Sequence, residues 1–179
     1  MKDAPSADRT VLVQRLASLS TTVVADAMDR LGVAEGIRPV WAGARLAGVA
    51  RTVWVRAGDN KVVHEALEVV GAGEVLVVNG GGDTSRALIG ELMGRRGLVR
   101  QLAGWVIDGA VRDRADLEAL GVAVFARAVS PAGPYKHGPG HLDVPVAVGG
   151  VVVTPGDLVL GDDDGVVIVP AGWAQGVLA

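Results

Sequence analysis

The hexapeptide Glu74–Asn79, EVLVVN, constrains the fold of this chain more than any other stretch. Its apolar run is unbroken, short, and bounded by Gly71 and Gly73 on one side and NGGGD on the other. A run of this form is a strand buried on both faces, and such strands lie in sheets covered by helices or by a second sheet. The segment Gly104–Asp108, GWVID, reads as a second buried strand, and helical spacing lies between the two. Composition supports this. Half of the 179 residues are hydrophobic but only 3% are aromatic, so the core is built from many small aliphatic and β-branched side chains.

The rest of the chain fills in around these runs. Apolar positions 11, 12, 13, 16 and 19 predict a helix over 9–19. Ser20, Thr21 or Thr22 caps a second helix reaching about Leu31, which Gly32 ends. Residues 45–55 alternate and are rich in β-branched types, which predicts a strand or two. Asp59 or Asn60 caps a helix running to Val70. From about Ala87 to Arg96, Leu88 with Leu92 and Ile89 with Met93 form i, i+4 pairs, which predicts a helix starting at either Ala87 or Gly90. A helix over 114–120 and a strand over 122–125 follow. Beyond the Gly/Pro loop 131–141, short segments separated by Gly, Pro and Asp read as antiparallel β. The expected architecture is one layered α/β domain, a length of 179 residues being short for two.

Charge and residue types exclude several functions. The formal net charge is −3 and the 17 basic residues are scattered, so there is no electrostatic footprint for nucleic acid. The absence of cysteine excludes disulfides, thiolate nucleophiles and Cys-ligated zinc, leaving oxygen or imidazole for any metal. The polar start, MKDAPSADRT, lacks a signal-peptide core, and no apolar run reaches membrane length, so a cytoplasmic location without membrane contact is expected.

The chemistry concentrates between Gly90 and Asp113. A turn containing Gly109 delivers Arg112 and Asp113 just past the 104–108 strand, where open α/β sheets bind ligands. A cation beside a carboxylate suits a small anion held on a divalent metal: arginine offers a planar fork and aspartate a hard oxygen ligand. Glu91 adds a second carboxylate. Each residue also has a plainer role available. Asp113, with Asp116 three positions on, is placed to cap the helix that follows. Arg112 is placed to pair with Asp116, and Glu91 with Arg95.

Asp108 is either a metal or water ligand at the strand's end or a turn former. Asp162, Asp163 and Asp164, followed by Gly165, read as a hairpin turn. His137 and His141 are four apart, yet Gly138, Pro139 and Gly140 prevent the helix that would align them as ligands, leaving loop residues near the mouth of the site. His64 falls on the polar side of its helix. Lys2, Lys61 and Lys136 are the only lysines and none sits in an apolar stretch, which disfavours a Schiff-base mechanism.

Glu91, twenty residues, then Arg112-Asp113 resembles the signature of the class II pyruvate aldolase branch of the RraA-like family. Segments 21–32, 47–53, 73–82, 106–127 and 138–170 resemble that family as well, so the similarity covers nearly the whole chain. The resemblance implies a swivelling β/β/α-type fold over residues 1–179, assembled as a homotrimer or dimer of trimers with sites at subunit interfaces. It implies a metal-dependent lyase that releases pyruvate from 4-hydroxy-2-oxo di- or tricarboxylates. Expected substrates are 4-hydroxy-4-methyl-2-oxoglutarate and 4-carboxy-4-hydroxy-2-oxoadipate, with oxaloacetate decarboxylation as a side activity.

In that scheme Asp113 holds Mg²⁺ or Mn²⁺, and Arg112 takes the ketone and developing enolate oxygens. Glu91 orients the water that shuttles the proton, and the backbone of Gly90, Glu91, Leu92 and Met93 receives the substrate carboxylate. His141 stands where relatives often have an acidic residue. The longer aldolases continue past the point where this sequence stops at Ala179, which implies a shorter substrate or decarboxylation here. A second branch of the family inhibits an RNA-degrading endonuclease by protein contact, but tends to lose the Arg-Asp pair that this chain retains. A quinone methyltransferase label sometimes attached to such sequences needs a cofactor fingerprint that is not present.

Overall fold

The computed structural model describes residues 6–178; the first five residues of the polar N-terminal stretch lie outside them. The chain opens with α1 (Ser6–Ala17) and α2 (Thr21–Ala27), then β1 (Arg38–Pro39) and the long β2 (Leu46–Val55). Next come α3 (Lys61–Val69), β3 (Glu74–Asn79), β4 (Ala87–Ile89), α4 (Glu91–Val99) and β5 (Gly104–Val111). After α5 (Arg114–Ala119) and β6 (Val124–Val129) come β7 (Gly140–Leu142), β8 (Val146–Val148) and β9 (Val151–Val153), then β10 (Leu158–Asp162), β11 (Gly165–Val169) and α6 (Ala174–Val177).

One mixed sheet organises the molecule in the order β1-β6-β5-β3-β2-β10-β11, with β4 added to β5 and β7 to β2. The β2-β3, β3-β5 and β5-β6 pairs are parallel, as expected for strands joined through α3, α4 and α5. The two edges approach one another, because Val33, just before β1, bridges to Val167 of β11.

The alternation along EVLVVN places its side chains. Leu76 and Val78 join the core under α3, α4 and α5, which contribute Val63, Leu67, Met93 and Leu117. Val75 and Val77 face the other way, into a second core closed by Val146, Val148 and Val153 of the β8-β9 hairpin. Both faces are therefore dry, the condition that an unbroken apolar strand needs. A third cluster packs α1, α2 and α6 on β10 and β11. The layered α/β architecture is the one expected from the sequence.

Several local expectations are corrected. Residues 87–89 are a strand, paired with Ala110 and Val111 of β5, and the following helix starts at Glu91 with Gly90 as its cap position. β5 does not end at Asp108: it passes through Gly109 to Val111, all eight residues buried, with an irregularity in its pairing to β6 between Ile107 and Ala110. The second helix ends at Ala27, well before Leu31, because Asp29 and Arg30 already take positive φ. The acidic run is the expected hairpin, with Asp162 opposite Gly165. Asp162 also accepts from Thr21 N and Oγ1, at 2.9 and 2.6 Å, which ties α2 to the hairpin.

Candidate active site

The longer β5 moves the delivery point of Arg112 and Asp113 by three residues, to the end of Val111. There Arg112 N donates to Ile89 O at 3.0 Å, so β4 and β5 finish side by side and the start of α4 lies against the Arg-Asp pair. Asp113 occupies the cap position of α5 with a left-handed backbone (φ 58°, ψ 41°), yet its side chain makes no capping bond there. Its Oδ2 instead accepts the Glu91 N–H at 3.0 Å. The capping role anticipated for Asp113 is therefore real but belongs to α4, twenty-two residues back. Oδ2 also lies 3.5 Å from Arg112 Nε, and the Arg112–Asp116 pair considered from spacing is replaced by this contact.

Gly90 permits this closeness. A Cβ on it would stand 2.3 Å from Asp113 Oδ2 and 2.8 Å from Arg112 Cγ. Glu91 behaves as its plainer reading expects: Oε1 accepts from Arg95 Nε at 2.7 Å, one turn along α4. Glu91 lies beside the cleft and does not line it: its N–H is spent on Asp113 Oδ2 and its carboxylate on Arg95.

These elements enclose a cleft of about 90 Å³, lined by Gly90, Leu92, Met93, Arg112 and Asp113 together with Asn60, His64, Pro134 and Lys136. Leu92 stands at the rim, 73% exposed, whereas Met93 is buried at 4%. The first N–H groups of α4 have no partner within the helix, so Leu92 and Met93 present amide donors to this space. Arg112 and Lys136 against the single carboxylate of Asp113 leave the cleft positive, suited to an anion.

Three of these side chains, Asn60, His64 and Lys136, lie outside the Gly90–Asp113 stretch in which the sequence concentrates the chemistry. Asn60 and His64 lie one turn apart at the start of α3, the i, i+4 spacing being the signal that they share a direction. His64 Nδ1 is 3.0 Å from Arg96 Nη1. A guanidinium only donates, so Nδ1 accepts and Nε2 carries the proton. Burial, then the positive charges of Lys136 and Arg96, hold the His64 pKa below its usual value and keep the ring neutral.

Lys136 lies in the Gly/Pro loop 131–141, and that loop is pinned. Asp59 is 1% exposed, and its Oδ2 accepts from His137 N and Gly138 N at 2.8 and 2.9 Å while Oδ1 takes Lys61 N at 2.9 Å. Asn60 was a candidate cap for α3, but Asp59 performs that role.

Other candidates fall outside the cleft. Asp108 is neither a strand end nor a turn former: it sits within β5, paired with Arg127 and accepting from Gly149 N at 2.9 Å, and does not line the site. His137 contributes its backbone to the Asp59 clamp, and His141, expected in a loop, lies in β7 with its ring 5.7 Å from that of Trp54.

A family described as RraA-like, Aldolase/RraA, matches residues 21–168. The chain belongs to the RraA-like family. A relative from Halalkalibacterium halodurans is 36% identical over 167 residues, covering 93% of this chain and 80% of its own. A Thermus thermophilus protein named 4-hydroxy-4-methyl-2-oxoglutarate aldolase is 42% identical over 127 residues, covering 71% of this chain and 77% of its own. Among solved structures, Streptomyces coelicolor RraAS2, described as an unusual member of the RNase ES inhibitor RraA protein family, superposes with a TM-score of 0.84 at 31% identity. That match covers 98% of this chain and 91% of the other.

The RraA-like resemblance implies a divalent metal. Among the described residues no three His, Asp or Glu side chains form a metal cage. Mg²⁺ does not need one, since it keeps several waters and takes one or two carboxylates plus ligand oxygens. Asp113 suits that role: the Glu91 N–H and the Arg112 contact both fall on Oδ2, leaving Oδ1 for a cation.

Proposed function

We propose that this RraA-like protein is a divalent-metal-dependent lyase that releases pyruvate from 4-hydroxy-2-oxo di- or tricarboxylates. The observation that carries this reading is the meeting of Arg112, Asp113 and the first turn of α4 in one small positive cleft. The aldolase name of the Thermus thermophilus relative supports it. A cleft of about 90 Å³ has room for several waters, so it admits a pyruvyl head while the distal carboxylates lie over the rim near Leu92.

In this mechanism the 1-carboxylate docks on the amides of Leu92 and Met93. The 2-oxo oxygen lies against the Arg112 guanidinium. As the C3–C4 bond breaks, the 4-hydroxyl loses its proton and C4 becomes the carbonyl of the leaving product. The bonding electrons pass through C2 to the oxo oxygen, and Arg112 stabilises the enolate charge that develops there. Protonation at C3 then gives pyruvate. Glu91 positions the water that carries the proton, its carboxylate aligned by Arg95. Mg²⁺ or Mn²⁺ at Asp113 would supply Lewis-acid polarisation of the 2-oxo acid. Oxaloacetate yields the same enolate by losing CO₂ and is the expected side substrate.

We further propose assembly as a homotrimer or dimer of trimers, in keeping with exposed Leu92 and Val99 on α4, 73% and 84% accessible. A cytoplasmic setting belongs to the same proposal; no helix among the described residues is long and apolar enough to cross a membrane. The second reading, an endonuclease-binding regulator, is favoured by the description of Streptomyces coelicolor RraAS2. Purified protein with Mg²⁺ should release pyruvate from these substrates and lose the activity with chelator or in Asp113→Ala. Wild-type rates in that variant would remove the mechanism, and no turnover combined with tight endonuclease binding would install the second reading.

A further inference from the structure

Asn60 has an atom that the scheme above leaves unused. The residue is 4% exposed, and its Nδ2 donates to Leu88 O at 2.9 Å and lies 3.5 Å from Met93 Sδ. A main-chain carbonyl accepts only from the NH₂ side of the amide, so the orientation is determined. Oδ1 then has no protein donor and is itself covered, while other atoms of the residue line the cleft. The backbone holds it there, with Asn60 N donating to Tyr135 O at 3.0 Å beside the Asp59 clamp. A buried carbonyl without a donor is costly, and native structures rarely keep one.

The other polar groups facing the cleft are mostly donors: Arg112, Lys136, the Nε2–H of His64 and the α4 amides. A plain 2-oxo acid presents only acceptor oxygens, so it matches those donors and leaves Asn60 Oδ1 unmet. A hydroxyl supplies the missing hydrogen.

We infer that Asn60 Oδ1, uncovered by a small turn of the side chain as the substrate seats, accepts the hydrogen of the substrate's 4-hydroxyl and is the group by which the cleft selects hydroxylated 2-oxo acids over plain ones of equal charge. This rests on the lyase reading. An amide oxygen is too weak a base to keep the proton, so Asn60 orients the hydroxyl and the proton leaves through water. A site built to bond a hydroxyl discriminates against analogues that lack it, because its own polar group is then stranded.

The test compares two substrates in the Mg²⁺-loaded protein. Asn60→Leu removes the acceptor at nearly constant volume. The ratio of kcat/KM for 4-hydroxy-4-methyl-2-oxoglutarate cleavage to that for oxaloacetate decarboxylation should fall about tenfold or more. Loosening of α3 would lower both and leave the ratio where it was. A ratio within about threefold of wild type overturns the inference while leaving the lyase reading intact. A wild-type protein that turns over neither substrate sinks both. Independently of any variant, 2-oxoglutarate should inhibit wild-type oxaloacetate decarboxylation at least about tenfold more weakly than 4-hydroxy-2-oxoglutarate, and equal inhibition also overturns it.

Discussion

Replacing Gly90 with alanine separates sterics from backbone conformation. Gly90 is extended, at φ −156° and ψ −159°, a geometry that alanine adopts without strain. The added methyl would lie 2.3 Å from Asp113 Oδ2, where ordinary contact begins at 3.4 Å, so the carboxylate must retreat by about 1 Å. That breaks the 3.0 Å bond from Glu91 N and removes the cap of α4. A lost cap costs about 1 kcal/mol, which for a chain of this size lowers Tm by about 2–4 °C.

The same displacement moves Arg112 and Asp113 by about 1 Å, which is enough to cost on the order of 10²-fold in rate. Pyruvate release coupled to NADH oxidation, with thermal unfolding in parallel, measures both. Gly94→Ala is the control: its methyl would meet Leu117 Cδ2 at 2.7 Å and neither side chain of the Arg-Asp pair, and should disturb packing while leaving the rate within about threefold. Gly90→Ala at the rate of Gly94→Ala would refute the reasoning.

Asp113→Asn keeps an oxygen for the Glu91 N–H, so stability should stay within about 0.5 kcal/mol while pyruvate release falls about 10²–10³-fold; an active Asn variant would show that the charge is idle. At Asp59, burial pushes the carboxyl pKa up, but the N–H groups of Lys61, His137 and Gly138 and the charge of Arg56 outweigh it, and the net pKa lies below 3.8. Its stabilisation is therefore complete above pH 4 and lost as pH falls through the lower folded value. Protection of the His137 and Gly138 amides, relative to their intrinsic exchange rates, should fall only in that acid range, and a loss of protection near pH 6 would contradict the clamp. The His64 pKa lies below 6.5, so the folded state disfavours its protonated form and stability declines as pH drops from 6.5 toward the folded value. An NMR titration should find that low pKa and see it rise in Arg96→Ala; a midpoint at or above 6.5 in the wild type would overturn the lowering.

What the sequence determined by itself was whatever depends on near neighbours. EVLVVN had to be a buried strand because its length and unbroken apolarity leave no other use. Asp162 to Gly165 had to turn, and Glu91 had a ready partner in Arg95 one helical turn away. The Glu91, Arg112 and Asp113 spacing also marked where to look.

Tertiary structure decided the rest, because those outcomes depend on contacts distant in sequence. Residues 87–89 satisfy a helical pattern and a strand pattern equally, and pairing with Ala110 and Val111 made the choice. Asp113 could have capped the helix that it precedes; its left-handed backbone and the approach permitted by Gly90 sent it to α4 instead. Asp59 turned a Gly/Pro loop into a fixed wall. Asn60 and His64 became cleft residues only when α3 was laid beside α4. Local periodicity specifies elements, whereas a site is a place where distant elements meet, and no single stretch of this chain contains it.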